Sequence, residues 1–207
     1  MGVILSFVIS FAFSFVGTIP PGTLNLSIIQ LGLDKKIRTA WRFGIAASIV
    51  EYPYAWLAVK FEYLITSSPL ITENIQLITA IVMLTVGVLT LWTANKPSEL
   101  GEKFKDSGFR RGILLGILNP LALPFWVGTT AYLRGQHWID LSTTLNLHAY
   151  LLGASLGALA VFMLFAYLAQ RIISEFQQGD RVKKIPGYIL LALGSYAFVR
   201  YLVLSFL

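Results

Sequence analysis

Long charge-free windows punctuate the chain, and they predict its spanning elements. Residues 1–33 contain no Asp, Glu, Lys or Arg, and residues 43–59 contain only Glu51. Residues 74–95, 112–133 and 141–170 are again uncharged, and 185–207 contains only Arg200. A helix needs about 20 apolar residues to cross the hydrocarbon layer, so the pattern predicts six transmembrane helices. The connections alternate in basicity. Segments 34–42, 95–111 and 171–184 hold four, five and four Lys or Arg, whereas 60–73 holds Lys60 alone and 134–148 Arg134 alone. The excess of positive charge in cytoplasmic loops then places both termini outside.

Two of these windows carry their own breakers. "FVGTIPPGTLNL" (15–26) contains Pro20 and Pro21 beside Gly22, Thr23 and Asn25, and "GILNPLALP" (116–124) contains Asn119, Pro120 and Pro124. A proline removes its own N–H and clashes with the carbonyl four residues earlier. The carbonyls of Val16, Gly17, Gly116 and Pro120 are thus expected to lose their helical partners. In lipid an unpaired backbone group costs several kcal/mol, so each break needs protein, water or ligand to answer it. Three helices per half is an odd number, which makes any internal repeat inverted. The halves are 1–94 and 112–207, joined by a cytoplasmic linker over 95–111, and the breakers fall in their first helices. Paired interruptions of this kind are a pointer to a transporter's binding site.

Depth strengthens the pairing. Residues 43–59 are centred on Glu51, 112–133 near residue 122, and a 20-residue span ending at Leu33 near residue 23. An ionisable residue at helix centre costs roughly 2.5–3.5 kcal/mol and is a functional-site hypothesis by default. Glu51 is expected to pair with a substrate ammonium group or to carry a proton. A buried carboxyl held by Tyr54 or Asn25 is the structural alternative. Tyr52 and Trp126 flank the same depth and are expected to line a cavity there.

Composition confirms the solvent. The chain is 56% hydrophobic and 13% charged, with a mean hydropathy of +0.71, about half the charge of a soluble domain. This is an integral, all-α membrane protein with the lipid bilayer as its surroundings. The net charge of +6 reflects basic loops, and without a basic–aromatic platform no nucleic-acid partner is expected. No cysteine is present, which excludes disulfides and thiolate sites. The N-terminus lacks a charged leader region and reads as a retained first helix. Gly112 with Gly116 and Gly153 with Gly157 have the small-xxx-small spacing of close helix contacts, within one protomer or in a homodimer. Trp41, Trp138, Tyr188 and Tyr201 are expected at the interfaces, and Arg200 is close enough to the C-terminus to snorkel outward. His137 and His148 lack an accompanying carboxylate cluster, so no metal site and no cofactor are expected.

The segments "PPGTLNL" and "FRRGILLGILNPLALPFWVG" resemble the LysE/RhtB-type amino-acid exporters. In that family the first helix typically carries Pro-Gly-Pro and the fourth Asn-Pro followed by an aromatic pair. Here Asn119-Pro120 with Phe125 and Trp126 is the closer match, Thr23 stands where the third position is usually proline, and Leu121 where Lys is common. The resemblance implies a secondary transporter of the bacterial cytoplasmic membrane, not an enzyme. It would export a small molecule, most simply an amino acid, by proton-driven antiport. Binding would involve Pro20, Pro21, Gly22, Thr23, Asn25, Glu51, Tyr52, Asn119, Pro120, Pro124 and Trp126, with Glu51 coupling the proton. A metal-cation exporter or channel of the same superfamily is the alternative.

Overall fold

The structure is a computed structural model that describes residues 2–20, 22–67, 107–119 and 121–176, with scattered helical positions within 77–92 and 188–203. The expected third and sixth spans, apart from those positions, and most of the 95–111 linker lie outside the described residues. So do Pro21, Pro120, Arg200 and Tyr201.

All regular structure among the described residues is helical. The elements are α1 (Gly2–Thr18), α2 (Thr23–Leu33), α3 (Ile37–Ser67), α4 (Gly108–Ile117), α5 (Ala122–Gly135) and α6 (Thr144–Phe176). Within α6, Thr144–Ala169 is long and apolar enough to cross a membrane by itself. The axes of α1 and α2 meet at 78° and those of α4 and α5 at 62°, each pair across a short break at the proline motif.

Small residues let these helices approach closely, which is how helices associate when lipid supplies no hydrophobic drive. On α6, Gly153 lies against the Phe7 carbonyl of α1 and Gly157 against the Phe11 carbonyl. The facing side of α1 is a stripe of buried serines, Ser6, Ser10 and Ser14, and the Ser14 hydroxyl donates to the Ala154 carbonyl at 2.5 Å. On α4, Gly108 lies against the Thr39 carbonyl of α3 and Gly112 against the Phe43 carbonyl. Both glycine motifs therefore serve contacts inside this chain. An apolar core of Ile28, Phe43, Val161 and Phe162 fills the space between α2, α3 and α6.

α2 and α5 also end alike. Lys35 and His137 adopt left-handed backbone, φ 56° and 57°. Lys36 N–H returns to the Leu31 carbonyl at 2.9 Å and Trp138 N–H to the Leu133 carbonyl at 3.0 Å. This is the Schellman closure of a helix C-terminus, here reached without glycine and so at some steric cost.

Candidate functional site

At the first break the exposed groups are Ile19, Pro20, Gly22 and Thr23. Gly22 caps α2 with extended backbone, and no side chain caps that helix end. The Val16 carbonyl, expected to be free, accepts Ile19 N–H at 3.2 Å. The groups that need side-chain help are further on. Asn25, only 4% exposed, donates its amide Nδ2 to the Thr18 carbonyl at 2.6 Å and the Pro20 carbonyl at 2.7 Å. Its Oδ1 is buried without a hydrogen-bond partner among the described residues. Asn25 thus bridges the end of α1 to the third residue of α2.

The second break is closed differently. The Gly116 carbonyl, also expected to be free, accepts Asn119 N–H at 3.1 Å. The Ile117 carbonyl accepts the Tyr54 hydroxyl of α3 at 2.6 Å. Asn119 Oδ1 accepts Leu121 N–H at 3.2 Å, so that side chain organises its own turn. Pro124 is not a further break. It stands in the first turn of α5, where a missing N–H leaves no helical bond unmade.

Glu51 is held by neither Tyr54 nor Asn25. The Trp126 indole Nε1–H donates to Glu51 Oε2 at 2.7 Å, from 75 residues along the chain. Trp126 is 1% exposed, packed edge-on against Phe125 and Tyr150, with ring centroids 5.1 and 5.8 Å away. It is a core residue that steadies the carboxylate rather than a cavity wall. Tyr150 in turn shares a 2.9 Å hydrogen bond with Thr130. The Phe125 ring presses on Gly17, where any added Cβ would overlap it. The end of α1, the start of α5 and the centre of α3 therefore meet through Gly17, Phe125, Trp126 and Glu51.

Tyr52 turns elsewhere. Its hydroxyl is hydrogen-bonded to His148 Nδ1 on α6, and its ring lines a groove of about 570 Å³ between α3, α4 and α6. Ile45, Ile49, Ile117, Leu152 and Leu156 make that groove apolar, and no other candidate residue among the described residues lines it. Sequence reasoning passed over Pro53, a proline inside α3 two residues after Glu51. The signal was present, since a helix-interior proline withdraws the N–H owed to the carbonyl four residues earlier, that of Ile49. No group of three His, Cys, Asp or Glu converges among the described residues.

The helices are thus broken at both proline motifs and packed through small residues, and Trp126 ties Glu51 to the helix that follows the second break. The LysE type translocator family matches residues 15–200, and the chain belongs to that family. It is accordingly a translocator and not an enzyme. It is also 25% identical over 113 residues to "Putative amino acid efflux protein YcgF" of Bacillus subtilis (strain 168), a match covering 53% of this chain and 54% of the relative. The chain thus aligns with about half the length of that relative. No solved structure matches.

Proposed function

We propose that this chain is a six-helix secondary transporter that exports a small zwitterionic metabolite, in the first place an amino acid, by proton-driven alternating access. On this reading α1 with α2, and α4 with α5, are single spans interrupted at the midplane, and the two halves form an inverted repeat. The 78° and 62° bends support it, as do three matched features. The glycines Gly153 and Gly157 bring α6 to α1 as Gly108 and Gly112 bring α4 to α3. The uninterrupted helices α3 and α6 have similar lengths, 31 and 33 residues. The turns at Lys35 and His137 share one backbone conformation. The distribution of basic loops supports a cytoplasmic-membrane orientation with both termini outside.

The observation that carries the reading is Glu51, bound by Trp126 and joined through Phe125 to the end of α1. Around it the carbonyls of Val16, Thr18, Pro20, Gly116 and Ile117 are answered from within the protein. What the first break leaves unspent is the uncapped N-terminus of α2 and the buried Oδ1 of Asn25. A helix N-terminus offers N–H groups and positive potential to a carboxylate, and Oδ1 accepts from an ammonium. Together they are complementary to a zwitterion, while Glu51 takes up and releases the coupled proton. The name of the Bacillus subtilis relative, an amino acid efflux protein, agrees with this substrate class.

Counterflow of labelled amino acids into proteoliposomes tests the proposal. Exchange of at least one amino acid is expected, with loss of proton-driven uptake in Glu51→Gln. A broad panel without exchange, or undiminished proton coupling in that variant, overturns it.

A further inference from the structure

Four side-chain pairs tie α3, α5 and α6 to one another: Trp126–Glu51, Thr130–Tyr150, Tyr52–His148 and Arg134–Glu62. All lie at the depth of Glu51 or beyond it, on the side away from the basic loop that holds Lys35, Lys36 and Arg38. The last pair is the furthest out. Glu62 is 11 residues beyond Glu51 on α3, about 16 Å along the axis at 1.5 Å per residue. Its carboxylate meets the Arg134 guanidinium at 2.6 Å, across from the end of α5.

The two partners sit in unequal surroundings. Glu62 is 5% exposed, whereas the Arg134 side chain is 40% exposed and stands in the last turn of α5, where the helix dipole favours a cation. Ala58, one turn before Glu62, and Leu133 and Ile139, on either side of the end of α5, are buried in one apolar cluster that continues to Trp126 and Tyr150. A charge pair over an apolar plug has the energetics of a gate. Closed, it holds one register, because the short contact between the Arg134 guanidinium and the buried Glu62 carboxylate is made only where the ends of α3 and α5 meet. Opened, both charges regain water, so the desolvation penalty that opposed pairing is relieved and the net cost of separation is small.

We infer that Arg134–Glu62, with the plug of Ala58, Leu133 and Ile139, is the gate that closes the translocation path on the face opposite the basic loops. The pair opens when the ends of α3 and α5 part. This rests on the transporter reading for its path, but its test reads helix separation directly.

The chain contains no cysteine, so single reporters are clean. Ala58→Cys probes the plug one turn below Glu62, and Ala40→Cys, also wholly buried, probes the opposite end of α3. Maleimide labelling rates are measured on the purified full-length chain in detergent, in three backgrounds: otherwise unchanged, Glu62→Gln, and the swap Glu62→Arg with Arg134→Glu. Glu62→Gln is expected to raise labelling at Ala58→Cys about tenfold, to leave Ala40→Cys unchanged, and to be reversed by the swap. No rise at Ala58→Cys, an equal rise at both reporters, or a rise that the swap does not reverse overturns the gate. Counterflow by the Ala58→Cys protein is run in parallel, so that absence of transport counts against the transporter reading and leaves the gate result standing.

Discussion

Asn25→Leu isolates what the first break demands. Leucine keeps the branched shape of asparagine with a larger volume and a somewhat better helix propensity, so neither a cavity nor backbone preference works against it, while its methyl crowds the carbonyls that the amide bonded. The substitution removes the two hydrogen bonds to the Thr18 and Pro20 carbonyls, 2.6 and 2.7 Å long. Each such bond contributes about 1 kcal/mol net, and an acceptor left buried and unpaired adds about 1–3 kcal/mol. Asn25 is 4% exposed but Pro20 is exposed, so water takes over the Pro20 carbonyl and the acceptor left orphaned is that of Thr18. Losing the orphaned Oδ1 returns part of the cost, about 1–2 kcal/mol. The net expectation is a destabilisation of about 1–4 kcal/mol. For a chain of this size each kcal/mol lowers Tm by about 2–4 °C, so thermal unfolding in a mild detergent should show a drop of about 2–16 °C. An unchanged or raised Tm would refute the reasoning, because the break would then close without side-chain help.

Gly112→Ala is expected to cost about 1–3 kcal/mol, since its Cβ would enter the space of the Phe43 carbonyl. Gly128→Ala, with nothing within 4 Å, should be neutral or stabilising by about 0.5–1 kcal/mol, and paired thermal melts compare the two. Trp126→Phe removes the donor to Glu51, and a hydrogen bond to a charged group contributes about 1.5–3 kcal/mol. The pH dependence of counterflow should therefore shift in that variant, which titration of the rate measures. Tyr54→Phe frees the Ile117 carbonyl and should lower stability by about 1 kcal/mol. Its effect should vanish in a background where the second break is already disrupted by Asn119→Leu, read as a double-mutant cycle of Tm.

Part of the site was legible in advance because its signals are local. Pro20, Gly22 and Asn119 announce breaks through their own backbone chemistry, and the helices indeed stop at Thr18 and Ile117 and resume at Thr23 and Ala122. The carbonyls of Val16 and Gly116 were expected to need partners outside the helical pattern, and a turn supplies each with an N–H three residues on. The expectation went astray where the answer depended on neighbours. Pro124 was expected to break a helix and instead sits near the start of one. Trp126 was expected at a cavity and is packed between two rings.

Lipid explains why so much was readable from order alone. A segment in hydrocarbon must satisfy its backbone internally, so an uncharged window can be little else than a helix, and a breaker within it marks a real interruption. The helical class, the membrane setting and the place of both breaks follow from that constraint. How each helix is turned about its axis does not. Rotation is settled by packing, as when glycines on α6 and α4 seat against carbonyls of α1 and α3. That rotation decides that Glu51 meets Trp126, that Tyr54 answers Ile117, and that Glu62 finds Arg134 across 72 residues of chain. Hydrogen-bond partners are chosen by proximity in space, and proximity exists only once the helices have packed.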